Sequence, residues 1–183
     1  MKTAKRFNGG IQKGTVATDA RARKLDEQCK HLKNDVFAAL KQQYPELTLQ
    51  KKLTKEQIPG GIGACEPDGG AWFYNSVLIA VFEGKKQQDR GNAIERWFKN
   101  NCVCRTINPD VSYVTFCTGE GAYDNGKIGK ALNIAHLEGF NQYNPGKNSA
   151  FMNIDCFTKE FLNAIMVEVI CERIDTLFPQ PSV

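Results

Sequence analysis

Val77-Leu78-Ile79-Ala80-Val81-Phe82-Glu83-Gly84-Lys85 is an apolar run that ends in a carboxylate and an amine. Six consecutive apolar residues fit a strand covered on both faces, because alternation disappears when neither face meets water. Such a strand lies centrally in a sheet. Residues two apart on a strand share a face, so Glu83 and Lys85 are expected to meet at one edge of that sheet. The plain alternative is a strand that surfaces at Glu83, leaving both charges solvated.

Upstream, Ile58 to Gly70 carries seven Gly and Pro residues and reads as loop or turn, and Ala71 to Val81 then reads as extended. Further back, Leu25, Cys29, Leu32, Val36, Phe37 and Leu40 recur at three- and four-residue steps, one face of an amphipathic helix that Tyr44-Pro45 ends. Downstream, a helix pattern starts after Gly91 (Ile94, Trp97, Phe98), Ser112 to Cys117 reads as a short strand, and Phe161 to Phe178 as a closing helix. No repeat or linker interrupts this order, which favours one α/β layered domain over residues 25–183 behind a basic, flexible arm of residues 1–24.

Composition agrees with a packed domain. The chain has 183 residues, 42% hydrophobic and 24% charged, which is one globular unit able to bury a core. No apolar run approaches the ~18 residues of a membrane helix. Met1-Lys2-Thr3-Ala4-Lys5-Arg6 is followed by a stretch rich in Gly, Asn, Gln and Thr and not by an apolar run, so a cytoplasmic location is expected. Seven scattered cysteines, an odd number, read as reduced thiols. Cys102 and Cys104 are closely spaced, but no second pair follows and His31 and His136 stand alone, so a soft-metal site is not indicated.

Charge is unevenly placed. Residues 1–60 hold 13 Lys/Arg against 6 Asp/Glu, and residues 151–183 hold 2 against 5. A basic arm (Lys5, Arg6, Lys13, Arg21, Arg23, Lys24) suits an anionic polymer, since each cation near a phosphate releases a condensed counterion. A solvated tail would have the same composition.

Three short features within thirty residues carry the chemistry: Pro67-Asp68-Gly69-Gly70, Glu83-Gly84-Lys85, and Gly91-Asn92-Ala93-Ile94-Glu95-Arg96. The first alone is a turn sequence. Taken with the second, a turn carboxylate and a strand-end carboxylate form a hard-cation site, because Mg²⁺ accepts one or two carboxylates and takes its remaining ligands from water and phosphate. Lys85 beside it is placed to orient water, take its proton or stabilise an oxyanion. The third feature is also a helix start, with Asn92 and Glu95 as a capping box and Glu95 with Lys99 as an i,i+4 pair.

This block, continued by Lys99-Asn100, closely resembles the EcoRI-type restriction endonucleases within the PD…(D/E)xK nuclease group. Weaker similarity runs through Ala38 to Leu47, Tyr113 to Phe116 and Asn144 to Asp155. The resemblance implies a restriction-endonuclease-like fold, a central mixed β-sheet flanked by helices that dimerises on DNA. It also implies Mg²⁺ held by Asp68 and Glu83, and Lys85 as the catalytic lysine. Asn92, Ala93, Glu95 and Arg96 would approach a central AATT from the major groove. The chemistry suits them: Asn bonds adenine N6 and N7 together, a carboxylate accepts from an exocyclic amine, Arg donates to N7, and Ala leaves room for a thymine methyl.

The implied activity is a type II site-specific endonuclease that cuts both strands of double-stranded DNA at a palindrome, leaving 5′-phosphates and a four-base 5′ overhang. Lys5, Arg6, Lys13, Lys99, Lys130 and Lys147 are candidate backbone contacts, with plain solvated lysine as the alternative. The chain departs from the family in three places. Only five residues separate Lys85 from Gly91, where larger relatives insert a DNA-embracing arm. Gly84 stands where a bulkier residue is usual. Residues 133–140 lack the arginines that help to read outer G·C pairs. A non-cleaving DNA-binding module of the same fold and a structure-specific repair nuclease remain as rival readings.

Overall fold

The structure, a computed structural model, describes residues 16–61, 65–86, 91–118, 149–153 and 158–179, with side chains over 27–61, 65–84, 99–116, 158–160 and 162–179. Helix α1 (Val16–Gln43) buries Cys29, Leu32, Val36 and Leu40, the stripe that the three- and four-residue spacing indicates. Residues 16–24, which composition assigns to the basic arm, are its first turns; Lys5, Arg6 and Lys13 lie outside the described residues. The helix stops before Pro45, which lacks the N–H a continuing helix needs. Lys41 Nζ then donates to the Leu47 carbonyl at 2.8 Å, tying the helix end to strand β1 (Leu47–Gln50).

The segment 71–81, extended throughout by its composition, is a hairpin. Strands β2 (Ala71–Tyr74) and β3 (Val77–Lys86) pair antiparallel through Asn75 and Ser76, which sit at φ 46° and 65°. Both central residues at positive φ match the twist of the flanking strands. The signal is weak in sequence because the second position is Ser and not Gly.

Helix α2 (Gly91–Ile107) carries the chain from β3 to β4 (Ser112–Thr118), which therefore pairs parallel to β3; β5 (Ser149–Asn153) pairs parallel to β4. The result is a mixed five-stranded sheet in the order β1-β2-β3-β4-β5, with β3 in the middle. Four- and five-residue strands such as β1 and β5 give too little alternation to stand out in sequence.

Helices lie on both faces. Helix α1 and the last helix, α3 (Lys159–Leu177), cover one face, where Leu162, Met166 and Ile170 meet Trp72, Phe82 and Phe116. On the opposite face Cys104 of α2 packs with Leu53, Val81, Val111 and Tyr113. Ile79 and Ala80 belong to the first cluster, Leu78 and Val81 to the second, which is why the run reads as continuously apolar. This is a general α/β fold. Among the described residues no helix is long and apolar enough to cross a membrane.

A left-handed backbone costs a side chain-bearing residue about 1–2 kcal/mol, whereas glycine loses only about 0.5–1 kcal/mol through added chain entropy. Ser76→Gly is therefore expected to stabilise the protein by about 0.5–1 kcal/mol, read as a higher urea midpoint at unchanged m-value. A lowered midpoint would contradict the turn assignment.

Candidate active site

The carboxyl ends of the parallel strands and the start of β2 meet at one edge of the sheet, where open α/β folds place their ligands. Pro67 to Gly70 is a tight turn closed by the Gly70 N–H on the Pro67 carbonyl at 3.0 Å. Beyond the hairpin pairing, Gly69 N–H donates to Phe82 O at 2.8 Å and Phe82 N–H to Gly70 O at 3.2 Å, so the turn runs alongside β3. Asp68 then accepts the Gly84 N–H on Oδ2 at 3.1 Å. A side chain has taken over the pairing, and it brings the Asp68 carboxylate beside the residue that follows Glu83.

The two glycines are what permit this approach. A Cβ on Gly69 would lie 2.5 Å from the Phe82 Cβ and 2.9 Å from its carbonyl oxygen. Gly70 adopts φ +84°, and a Cβ there would meet Leu49 Cδ1 at 2.4 Å. The turn is fixed from behind as well: Trp72 Nε1 donates to Gly69 O at 3.0 Å, and Lys33 Nζ of α1 donates to Asp68 O at 2.7 Å.

Glu83 is only 2% exposed, so the strand does not surface there. It lies opposite Thr115 of β4, itself buried, and shares the parity of Val81, which faces α2. Burial first, and then the Glu83 carboxylate, push the Tyr113 hydroxyl well above its usual pKa, with Asp68 adding to the effect. The Cys104 thiol of α2 is raised by its hydrogen bond to Cys65, by burial, and also by Glu83. Both carboxylates thus act on Tyr113, and Glu83 also acts on Cys104. Cys104 serves as a buried packing residue, as does Cys65.

Lys85 follows in β3, in register with Cys117, on the parity of Glu83. Asn92, Ala93, Glu95 and Arg96 fall in the first two turns of α2. From Lys86 to Gly91 the chain spans at most about 18 Å, which bounds the distance of this helix start from the end of β3. The side chains of Lys85 and of residues 91–98 lie outside the described residues, as do Lys130 and Lys147. Lys99 is exposed on α2.

Among the described residues no group of three or more His, Cys, Asp or Glu is arranged to hold a metal ion. The donor set at this edge is two carboxylates, which is what Mg²⁺ takes from a protein when phosphate oxygens and water complete its shell. An ionised carboxylate has about four lone-pair sites, so the Gly84 hydrogen bond and a coordinate bond are compatible on Asp68.

Sequence reasoning missed Lys33. Its amine is partly buried, and desolvation, opposed by the Asp68 charge, lowers its pKa. A signal existed: Lys33 interrupts the row Cys29, Lys33, Phe37 at four-residue steps, where an apolar residue would be expected.

No family model, curated protein or solved structure matches this chain.

Gly69→Ala is expected to destabilise the fold by about 1–3 kcal/mol, because the contact is with strand β3 itself and cannot be relieved by a side-chain rotation. Chemical denaturation measures this. A neutral effect would show that the turn does not press on β3 as described.

Proposed function

We propose that the protein is a Mg²⁺-dependent endodeoxyribonuclease of the EcoRI type, acting as a homodimer on double-stranded DNA with a palindromic site centred on AATT. The observation that carries the reading is the Asp68–Gly84 hydrogen bond, which brings a turn carboxylate onto β3 at the residue after the buried Glu83. Deep burial of a carboxylate is costly unless something compensates its charge, which argues against Glu83 as a solvated strand end.

In this proposal Asp68 and Glu83 hold the cation and so fix where a phosphodiester binds. A bound divalent ion neutralises charge at phosphorus and makes a water more acidic. Lys85 orients the attacking water or stabilises charge developing on the phosphate oxygens. Breaking the bond from phosphorus to the 3′ oxygen leaves a 5′-phosphate, as the resemblance implies. Asn92, Ala93, Glu95 and Arg96, at the start of the helix that leaves this edge, read bases in the major groove. A two-fold dimer would present two such edges to the two strands of a palindrome.

The test is to incubate mixed-sequence duplex with Mg²⁺ and sequence the ends. The expected product is a four-base 5′ overhang at AATT, abolished by chelator. Random ends, or cutting that follows junctions or mismatches, would defeat the specificity; no cutting with tight site-specific binding would favour the non-cleaving module. Glu83→Gln, nearly isosteric, should lower the cleavage rate by on the order of a thousandfold while duplex binding persists.

A further inference from the structure

Two segments distant in sequence bring lysines beside the Asp68 turn. Lys33 comes from α1, and Lys51 and Lys52 follow directly after β1. Lys51 pairs with the carboxylate of Glu66, two residues before Asp68; Lys52, the residue after Lys51, is exposed, and Lys33 donates to the Asp68 carbonyl. Lys51 Nζ lies 2.8 Å from Glu66 Oε1, with the two side chains 78% and 49% exposed. Lys33 Nζ, on Asp68 O, is near enough to Lys51 for the two charges to oppose each other.

With the charges of Asp68 and Glu83 offset by the cation of the nuclease reading, Lys33, Lys51 and Lys52 stand against one further carboxylate, the exposed Glu66, and leave an excess of positive charge on this edge. A pair as exposed as Lys51–Glu66 contributes little to stability, so the fold does not need it, and an incoming anion can exchange with Glu66. The excess charge adjoins the two carboxylates that the nuclease reading assigns to a cation bridging to phosphate. A ligand with regularly repeated anions is therefore favoured over a single small one.

We infer that Lys33, Lys51 and Lys52 form a phosphate-binding edge beside the Asp68 turn, which takes the sugar-phosphate backbone of duplex DNA next to the phosphate being cut. The inference rests on the nuclease reading and adds to it a contact surface that lies outside the motif block. Glu66 acts as an internal counter-anion, which the nucleic acid displaces. Lys33 has a second task, since its bond to Asp68 O holds the carboxylate turn in place.

The experiment is fluorescence anisotropy of a labelled AATT-containing duplex, with Ca²⁺ in place of Mg²⁺, across a series of salt concentrations. Lys33 is left intact because of its bond to the turn. Lys51→Gln/Lys52→Gln should weaken binding about tenfold near physiological salt and reduce the slope of log K against log salt by about 2. Glu66→Gln should move the other way, tightening binding about threefold. Lys159→Gln, whose lysine pairs with Asp35, serves as the control for net charge and should change neither quantity.

An unchanged slope in the double variant, with cutting retained, overturns the phosphate edge and leaves the nuclease reading intact. An equal loss in Lys159→Gln overturns it as well, because bulk charge would then account for the effect. Wild-type protein that neither binds nor cuts duplex overturns both.

Discussion

One hydrogen bond sets the geometry of the site: the Gly84 N–H on the Asp68 carboxylate. Strand pairing between β2 and β3 continues through Gly69 and Gly70 as far as Phe82, and at Gly84 a side chain takes the place of backbone as the acceptor. That substitution fixes the Asp68 carboxylate against β3. It requires a residue with no Cβ at 69, a left-handed residue at 70, and a short acceptor at 68, which is what Asp-Gly-Gly supplies. Extending the side chain to Glu would alter the reach, and any Cβ at 69 would push the turn off the strand.

The rest of the fold supports that edge. Helix α1 packs on α3 and the sheet, and its Lys33 reaches round to the Asp68 carbonyl. Trp72, stacked edge-on against Phe37 and Phe82, donates to the Gly69 carbonyl. On the other face α2 is anchored by its second half: Arg105 donates to Asn101 Oδ1 at 2.7 Å and to the Pro109 carbonyl at 3.2 Å, while Asn108 donates to Leu78 O at 2.7 Å. The helix is thereby held where it ends, at the opposite edge of the sheet from the carboxylates. Its start, with Asn92 to Arg96, follows the carboxyl end of β3 in the chain.

Long amphipathic and continuously apolar segments were legible because their periodicity reports burial directly. The helices read over Leu25 to Leu40 and Phe161 to Phe178 lie within Val16–Gln43 and, to within two residues at each end, at Lys159–Leu177, and the central strand at 77–82 and the strand from Ser112 fall where the pattern puts them. The Asn75-Ser76 turn was not legible, since neither residue is a glycine and the flanking residues are all β-formers. Strands β1 and β5 are too short to show a period. At the site, spacing alone placed Glu83 at a strand end, but not its burial or the reach of Asp68 to Gly84, which depend on a long-range register. Lys33 and the cluster around Glu66 depend on contacts between segments that no local pattern encodes.

The central claim is that Asp68 and Glu83 hold one divalent cation at this edge. Paramagnetic broadening by Mn²⁺, followed through backbone amide signals in the presence of duplex DNA, tests it without reference to cutting. The account predicts that the signals of Asp68, Gly69, Glu83, Gly84 and Thr115 vanish first, at Mn²⁺ levels that leave α3 sharp, and that Asp68→Asn abolishes this selectivity. Broadening centred elsewhere, or spread evenly over the acidic surface of α3, would contradict it.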